Sequence, residues 1–327
     1  MHSAASTSAP LAAGPASAEL TAKAHRIARW FWVLAATTWV QIAFGALVRS
    51  EKAGLSCPDW PLCHGEVIPN LKLEGVIYEY GHRVFALAVS GLFAWGGWLL
   101  WREPLLRKKV GRWVIGGAVL LLVQIVFGGL TVLIVHSGDG PDRPATWTVA
   151  THLILGNTFA ALALVAAQDL QRWGRTGAEQ PAAKAVHWLA TLWTSSLLAQ
   201  LLLGGAIAGS IAGLVCTEFP TCNGGVWFPT FHGWVGWQVI HRLNAYLLTV
   251  LGFSLAWRSR HHPALSGIGW VLAVLIALQI CVGAANVLSY LNSYVTTAHS
   301  LLAALLFSTT GALWYHLRRL PPPGAAR

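Results

Sequence analysis

The chain has 327 residues, 55% of them hydrophobic and only 10% charged, with a formal net charge of +10 and a mean hydropathy of +0.55. Soluble domains carry roughly 25% charged residues, so a water-soluble globule is excluded. Nucleic-acid binding is also set aside, because the basic residues lie in loops between apolar stretches and form no patch.

In chain order, residues 1–22 are rich in Ala and Ser and contain no Lys or Arg. A secretory signal needs a basic start and an apolar core, and a transit peptide needs Arg; the segment reads instead as a disordered cytoplasmic tail. Eight stretches are long and apolar enough to cross a bilayer, near residues 30–49, 77–101, 113–135, 147–168, 186–208, 235–257, 265–288 and 295–317. A short cytoplasmic tail, 321–327, follows. The sequence thus predicts an all-α integral membrane protein of eight transmembrane helices. Sixteen of the 22 basic residues fall on one side of these spans, among them Lys23, Arg26 and Arg29 before the first span and Arg107, Lys108, Lys109 and Arg112 before the third. The positive-inside rule then puts both termini in the cytoplasm, with a bacterial inner membrane as the expected location.

The second half echoes the first. Gln41, Gly45, Cys57, Pro61, Cys63, His82 and Arg83 recur as Gln200, Gly204, Cys216, Pro220, Cys222, His241 and Arg242, always 159 residues on. Gln124 and Gly128 recur as Gln279 and Gly283, and His152 as His299, with shorter offsets. Each copy has four spans, an even number, so both share one orientation. The expected organisation is two tandem, parallel-oriented four-helix bundles, residues 23–175 and 176–320, each able to hold a cofactor between facing helices.

Of 13 histidines, nine lie in tails or near loops. His82, His152, His241 and His299 instead sit one to two turns inside even-numbered spans, at one depth. Ionisable side chains within a span are costly and mark function, and imidazole is a common ligand of haem iron. The pairs His82 with His152, and His241 with His299, suit one six-coordinate haem per bundle. Copper is disfavoured because the only Met is the first residue and the only Cys within a span is Cys281; a proton relay is the other reading. Arg83 and Arg242, next to two of these histidines, suit haem propionates or snorkelling to headgroups. Glu79 lies three residues before His82 and so on the same helix face, whereas its repeat counterpart is Gln238. A carboxylate in the first unit alone suggests that chemistry belongs there. Two loops read C-x-acid-aromatic-Pro-x-C, Cys57 to Cys63 and Cys216 to Cys222. Facing an oxidising compartment, each is expected to close a structural disulfide, with thiol exchange as the alternative. Cys281 is expected to be buried as a small apolar residue.

These features together resemble the haem A synthase family, over residues 28 to 318. The resemblance rests on Gln41-Ile-Ala-Phe-Gly-Ala-Leu-Val-Arg49 running into the first cysteine loop, on Glu79-Tyr-Gly-His-Arg83, and on the repeated His-Arg and Gln-x-x-x-Gly elements. It implies oxidation of the C8 methyl group of haem O to the formyl group of haem A through hydroxylated intermediates. It implies His82 and His152 as ligands of the substrate haem, Glu79 as catalytic, and His241 and His299 as ligands of a haem b cofactor. It also implies haem O synthase upstream, cytochrome oxidase assembly factors downstream and an electron partner of unspecified identity. Two other functions fit the spans: a di-haem b cytochrome that only transfers electrons, for example from quinol, and a transporter. A transporter would show helices broken at midplane, which the sequence does not suggest.

Overall fold

A computed structural model describes residues 15–136, 142–174, 180–210 and 212–321. The expected tails at 1–14 and 322–327, with His2, Arg175 and Arg327, lie outside the described residues.

Eight helices follow one another: α1 (Pro15–Ser50), α2 (Val76–Trp101), α3 (Pro104–Leu133), α4 (Thr146–Gln171), α5 (Lys184–Gly209), α6 (Gly233–Ser259), α7 (Ser266–Leu288) and α8 (Ser293–Leu317). All eight are long and apolar enough to cross a membrane, so the chain is a multi-pass membrane protein. The α3–α4 connection holds a small antiparallel pair, β1 (Val135–His136) and β2 (Arg143–Pro144).

Three sequence expectations need correction. Residues 15–22, assigned to the tail, form the first turns of α1. Pro suits a first helical turn, Leu20 packs on the core, and Lys23 pairs with both Glu19 and Glu103 at 3.3 Å. The third helix begins at Pro104, so Arg107, Lys108, Lys109 and Arg112 ride on it and are not loop residues. Lys and Arg are good helix formers, and buried Leu106 and Val110 anchor this extension. Cys281 is exposed and free, because its side of α7 faces outward.

The buried apolar side chains form two clusters. One joins Phe31 and Leu34 of α1, Phe93 and Leu100 of α2, Leu106 and Val110 of α3, and Phe159 and Leu164 of α4. The other joins Trp193 of α5, Leu248 and Leu255 of α6, Leu272 and Ile276 of α7, and Leu306 and Leu313 of α8. Helices α1, α4, α5 and α8 pack across the line between them. Lipid offers no hydrophobic drive for helix association, so close approach at small residues carries it. A Cβ on Gly205 or Gly209 of α5 would lie 3.1 Å from the Cα of Ala150 or Thr146 on α4. Helix α4 is the most enclosed span: 56% of its apolar stretch is buried, against 17% for α3 and α7. Near its end Asp169, 1% exposed, accepts from Trp113 of α3, Tyr315 of α8 and Arg319, each at 3.0 Å.

Candidate functional site

The four histidines lie near the cysteine-loop ends of α2, α4, α6 and α8, six to eight residues after each helix begins. Each is half-buried. His152 lies within electrostatic range of His82, and His299 within that of His241.

Each ring meets the same two residues of the preceding odd-numbered helix. Gln41 Nε2 lies 3.1 Å from His82 Nδ1 and 3.3 Å from its Nε2, and donates to the His82 carbonyl at 2.9 Å. Gln124, Gln200 and Gln279 place Nε2 3.3 Å from the Nε2 of His152, His241 and His299. Four residues after each glutamine comes a glycine, on the same helix face. A Cβ on Gly45 would lie 2.9 Å from His82 Cε1; on Gly128, Gly204 or Gly283 it would lie 3.1–3.2 Å from the facing Cε1. The bare backbone is what admits the ring. The Nδ1 atoms of His152, His241 and His299 are buried and have no hydrogen-bond partner among the described residues.

In each glycine pair the two members divide the work. Gly128 and Gly204 receive histidines, while Gly129 lies under the Trp60 ring of the first loop and Gly205 packs on α4.

The cysteine loops sit directly above. Cys57–Cys63 and Cys216–Cys222 are closed disulfides, with Cα separations of 4.7 and 4.5 Å. Both loops carry a cis peptide before the proline, Trp60–Pro61 and Phe219–Pro220. Asp59 caps its loop by accepting from His64 N at 2.6 Å and Gly65 N at 2.8 Å. Glu218 accepts likewise from Gly224 N and Gly225 N at 3.0 Å. The Gly65 and Gly225 N–H groups hold these two carboxyls below the usual carboxylate range.

Arg83 and Arg242 point into the loops. Arg83 donates to the carbonyls of Asp59 (2.9 Å), Leu62 (2.6 Å) and Cys57 (3.2 Å), and pairs with Glu79 at 2.6 Å. Arg242 donates to the carbonyls of Thr221 and Cys216. Glu79, 4% exposed, also accepts from Cys57 N at 2.8 Å, so each of its oxygens has a donor. Gln238, its counterpart, donates to the Gly213 carbonyl at 2.9 Å.

Sequence reasoning anticipated both disulfides. It missed the glutamines and glycines as the surroundings of the rings, although their fourfold recurrence was the available signal. It also missed the arginines as loop clamps, which only side-chain geometry reveals.

The profile of the COX15-CtaA family, described as cytochrome oxidase assembly protein, matches residues 28–76 and 72–310. Among similar proteins, the heme A synthase of Symbiobacterium thermophilum is 30% identical over 272 residues, covering 79% of this chain and 85% of the relative. That of Halalkalibacterium halodurans is 29% identical, covering 87% and 95%. That of Paracoccus denitrificans is 28% identical, covering 88% and 87%. With the profile matched over most of its length, the chain belongs to the COX15-CtaA family of cytochrome oxidase assembly proteins.

Proposed function

We infer that this chain is a haem A synthase, a membrane oxidoreductase that oxidises the C8 methyl group of haem O to the formyl group of haem A. The observation that carries this is the family match across both halves, joined to four histidines each packed against a glycine and a glutamine of the preceding helix. The work serves cytochrome oxidase assembly.

His82 and His152 hold the substrate haem O, and His241 and His299 hold a haem b cofactor. The fit is chemical. Three of the four rings carry a buried nitrogen without a partner, which a metal bond would satisfy. The glycine opposite each ring lets the imidazole pack against bare backbone and so fixes where the ring sits. Haem b, when bound, supplies one-electron redox chemistry. The histidines would hold each haem from two even-numbered helices, within a largely apolar membrane-spanning bundle.

Glu79 is the catalytic carboxylate. It lies on the face of α2 that carries His82, it is shielded from solvent, and two donors hold it in one orientation. A group held this way can accept a proton or stabilise positive charge developing at the methyl carbon without reorganising. The arginines differ in what they can still offer. A guanidinium has five N–H donors; the loop and Glu79 take four from Arg83, while the loop takes two from Arg242. Propionate binding therefore falls mainly to Arg242. The protein sits in the bacterial inner membrane with both termini cytoplasmic and the cysteine loops outside, takes haem O from haem O synthase, and passes electrons to a partner in or beside the membrane.

The test is chromatography of haems extracted from cells that make haem O, with and without this protein. Haem A or its hydroxylated precursor should appear only when the protein is present. Unchanged haem O, alongside a purified protein holding only haem b, would overturn the synthase reading in favour of the electron-transfer cytochrome.

A further inference from the structure

We propose that Gln41, Gln124, Gln200 and Gln279 are positioning residues for the four iron-ligating histidines, each orienting one imidazole and tuning its electron donation. The inference rests on the haem ligation proposed above.

One arrangement recurs four times. An odd-numbered helix presents an amide and, one turn later, a bare glycine; the next helix presents the imidazole. The amide nitrogen lies 3.1–3.3 Å from a ring nitrogen, and the glycine backbone abuts Cε1 beside it. Amide and backbone together leave the ring little freedom to rotate. An imidazole that binds metal through one nitrogen almost always gives the other an outer hydrogen bond, which sets its basicity. Glutamine carries both a donor and an acceptor, so it can serve either ring nitrogen. The amide oxygens of Gln41, Gln124 and Gln279 are buried without a partner among the described residues, as are Nδ1 of His152, His241 and His299. At His152 and again at His299, the matching positions of the two halves, the amide holds ring Nε2 while Nδ1 is left without a partner among the described residues.

The four pairs fall into two kinds. Gln41 and Gln200 also donate to the main-chain carbonyl of their own histidine, at 2.9 and 3.0 Å, and Gln200 accepts from Asn244 at 2.8 Å. Gln124 and Gln279 touch only the ring among the hydrogen bonds described. Substituting Gln279 therefore isolates the effect on the imidazole.

The experiment uses purified holoprotein carrying Gln279→Leu or Gln279→Glu, read by haem content, the midpoint potential of the second-half haem and its low-spin electron paramagnetic resonance signal. Leu keeps the volume and removes the hydrogen bond; it should weaken haem retention about 10–100-fold and shift the potential and the resonance. Glu should shift the potential in the opposite direction, towards the oxidised form. Wild-type potential and resonance in both variants would overturn the proposal and leave glutamine as filler. Should the Leu variant fail to assemble, Gln279→Glu alone decides by the same two signals. His299→Ala in the same series separates the two levels: loss of the low-spin signal keeps the ligation reading whatever the glutamine does, whereas its survival removes that reading and this proposal with it.

Discussion

The two cysteine loops are close copies resting on different supports. In both, a disulfide closes a short ring, an acid caps it, and an arginine draws its carbonyls down onto an even-numbered helix. Beneath the first, Glu79 accepts from the loop and pairs with the arginine; beneath the second, Gln238 donates to Gly213 and leaves the arginine with spare donors. One exchange of carboxylate for amide therefore replaces an accepted hydrogen bond with a donated one to a different loop residue, and changes what a neighbouring cation is free to bind. A duplicated scaffold can diverge in chemistry without diverging in shape.

The largest expected asymmetry lies in the histidines. His241→Ala or His299→Ala should abolish bound haem b, measured by difference spectroscopy of the purified protein, while His82→Ala should keep haem b and yield no haem A. Retention of haem b in both second-half variants would break the assignment of cofactor to that half. Next comes the acid–amide pair: Glu79→Gln should lower conversion of haem O by about 10²–10⁴-fold with haem b content unchanged, and Gln238→Glu should cost far less. Equal losses would mean that both residues are loop supports only. Opening either disulfide by paired Cys→Ser substitution should destabilise its loop by roughly 2 kcal/mol, read as a lower unfolding temperature. Opening the Cys57–Cys63 loop alone should also reduce haem A yield, because Cys57 N donates to Glu79. The smallest effect is on pH. Asp59 and Glu218 have depressed pKa values in the folded protein, so their stabilisation is complete above the unfolded values near about 4 and is lost as pH falls through the folded ones. Asp59→Asn and Glu218→Gln should flatten unfolding temperature against pH by similar amounts on the acid side; a steeper response in one loop would show that their caps are unequal.

Much of this was legible in the sequence because membranes impose simple rules. Span length and hydropathy delivered the eight helices, and the repeated cysteine spacing delivered the two disulfides. The ends of α1 and α3 were not legible, since a helix that continues beyond the apolar stretch loses its hydropathy signal while keeping its hydrogen bonds. Cys281 was misread because apolar surroundings in sequence do not distinguish core from lipid. The roles of Arg83 and Arg242 were hidden for a different reason: a guanidinium beside a membrane surface has many suitable acceptors, and only the fold of the loop decides among them. Gln41 and its three counterparts were visible as a motif, but a motif does not say that its amide meets a ring on the next helix.

Asp169 has a consequence for how the protein is made. Its carboxylate belongs to α4, yet two of the three donors described for it, Tyr315 and Arg319, lie far downstream. Arg319 is 150 residues downstream, which at roughly 5–20 residues per second is about 8–30 seconds of synthesis. Through that interval the most enclosed helix of the protein has α1 and α3 beside it but not α5 and α8, and its acid lacks the donors of Tyr315 and Arg319. The boundary between the two sequence copies is thus not a point at which packing is complete: Asp169 of the first is met by Tyr315 and Arg319 of the second.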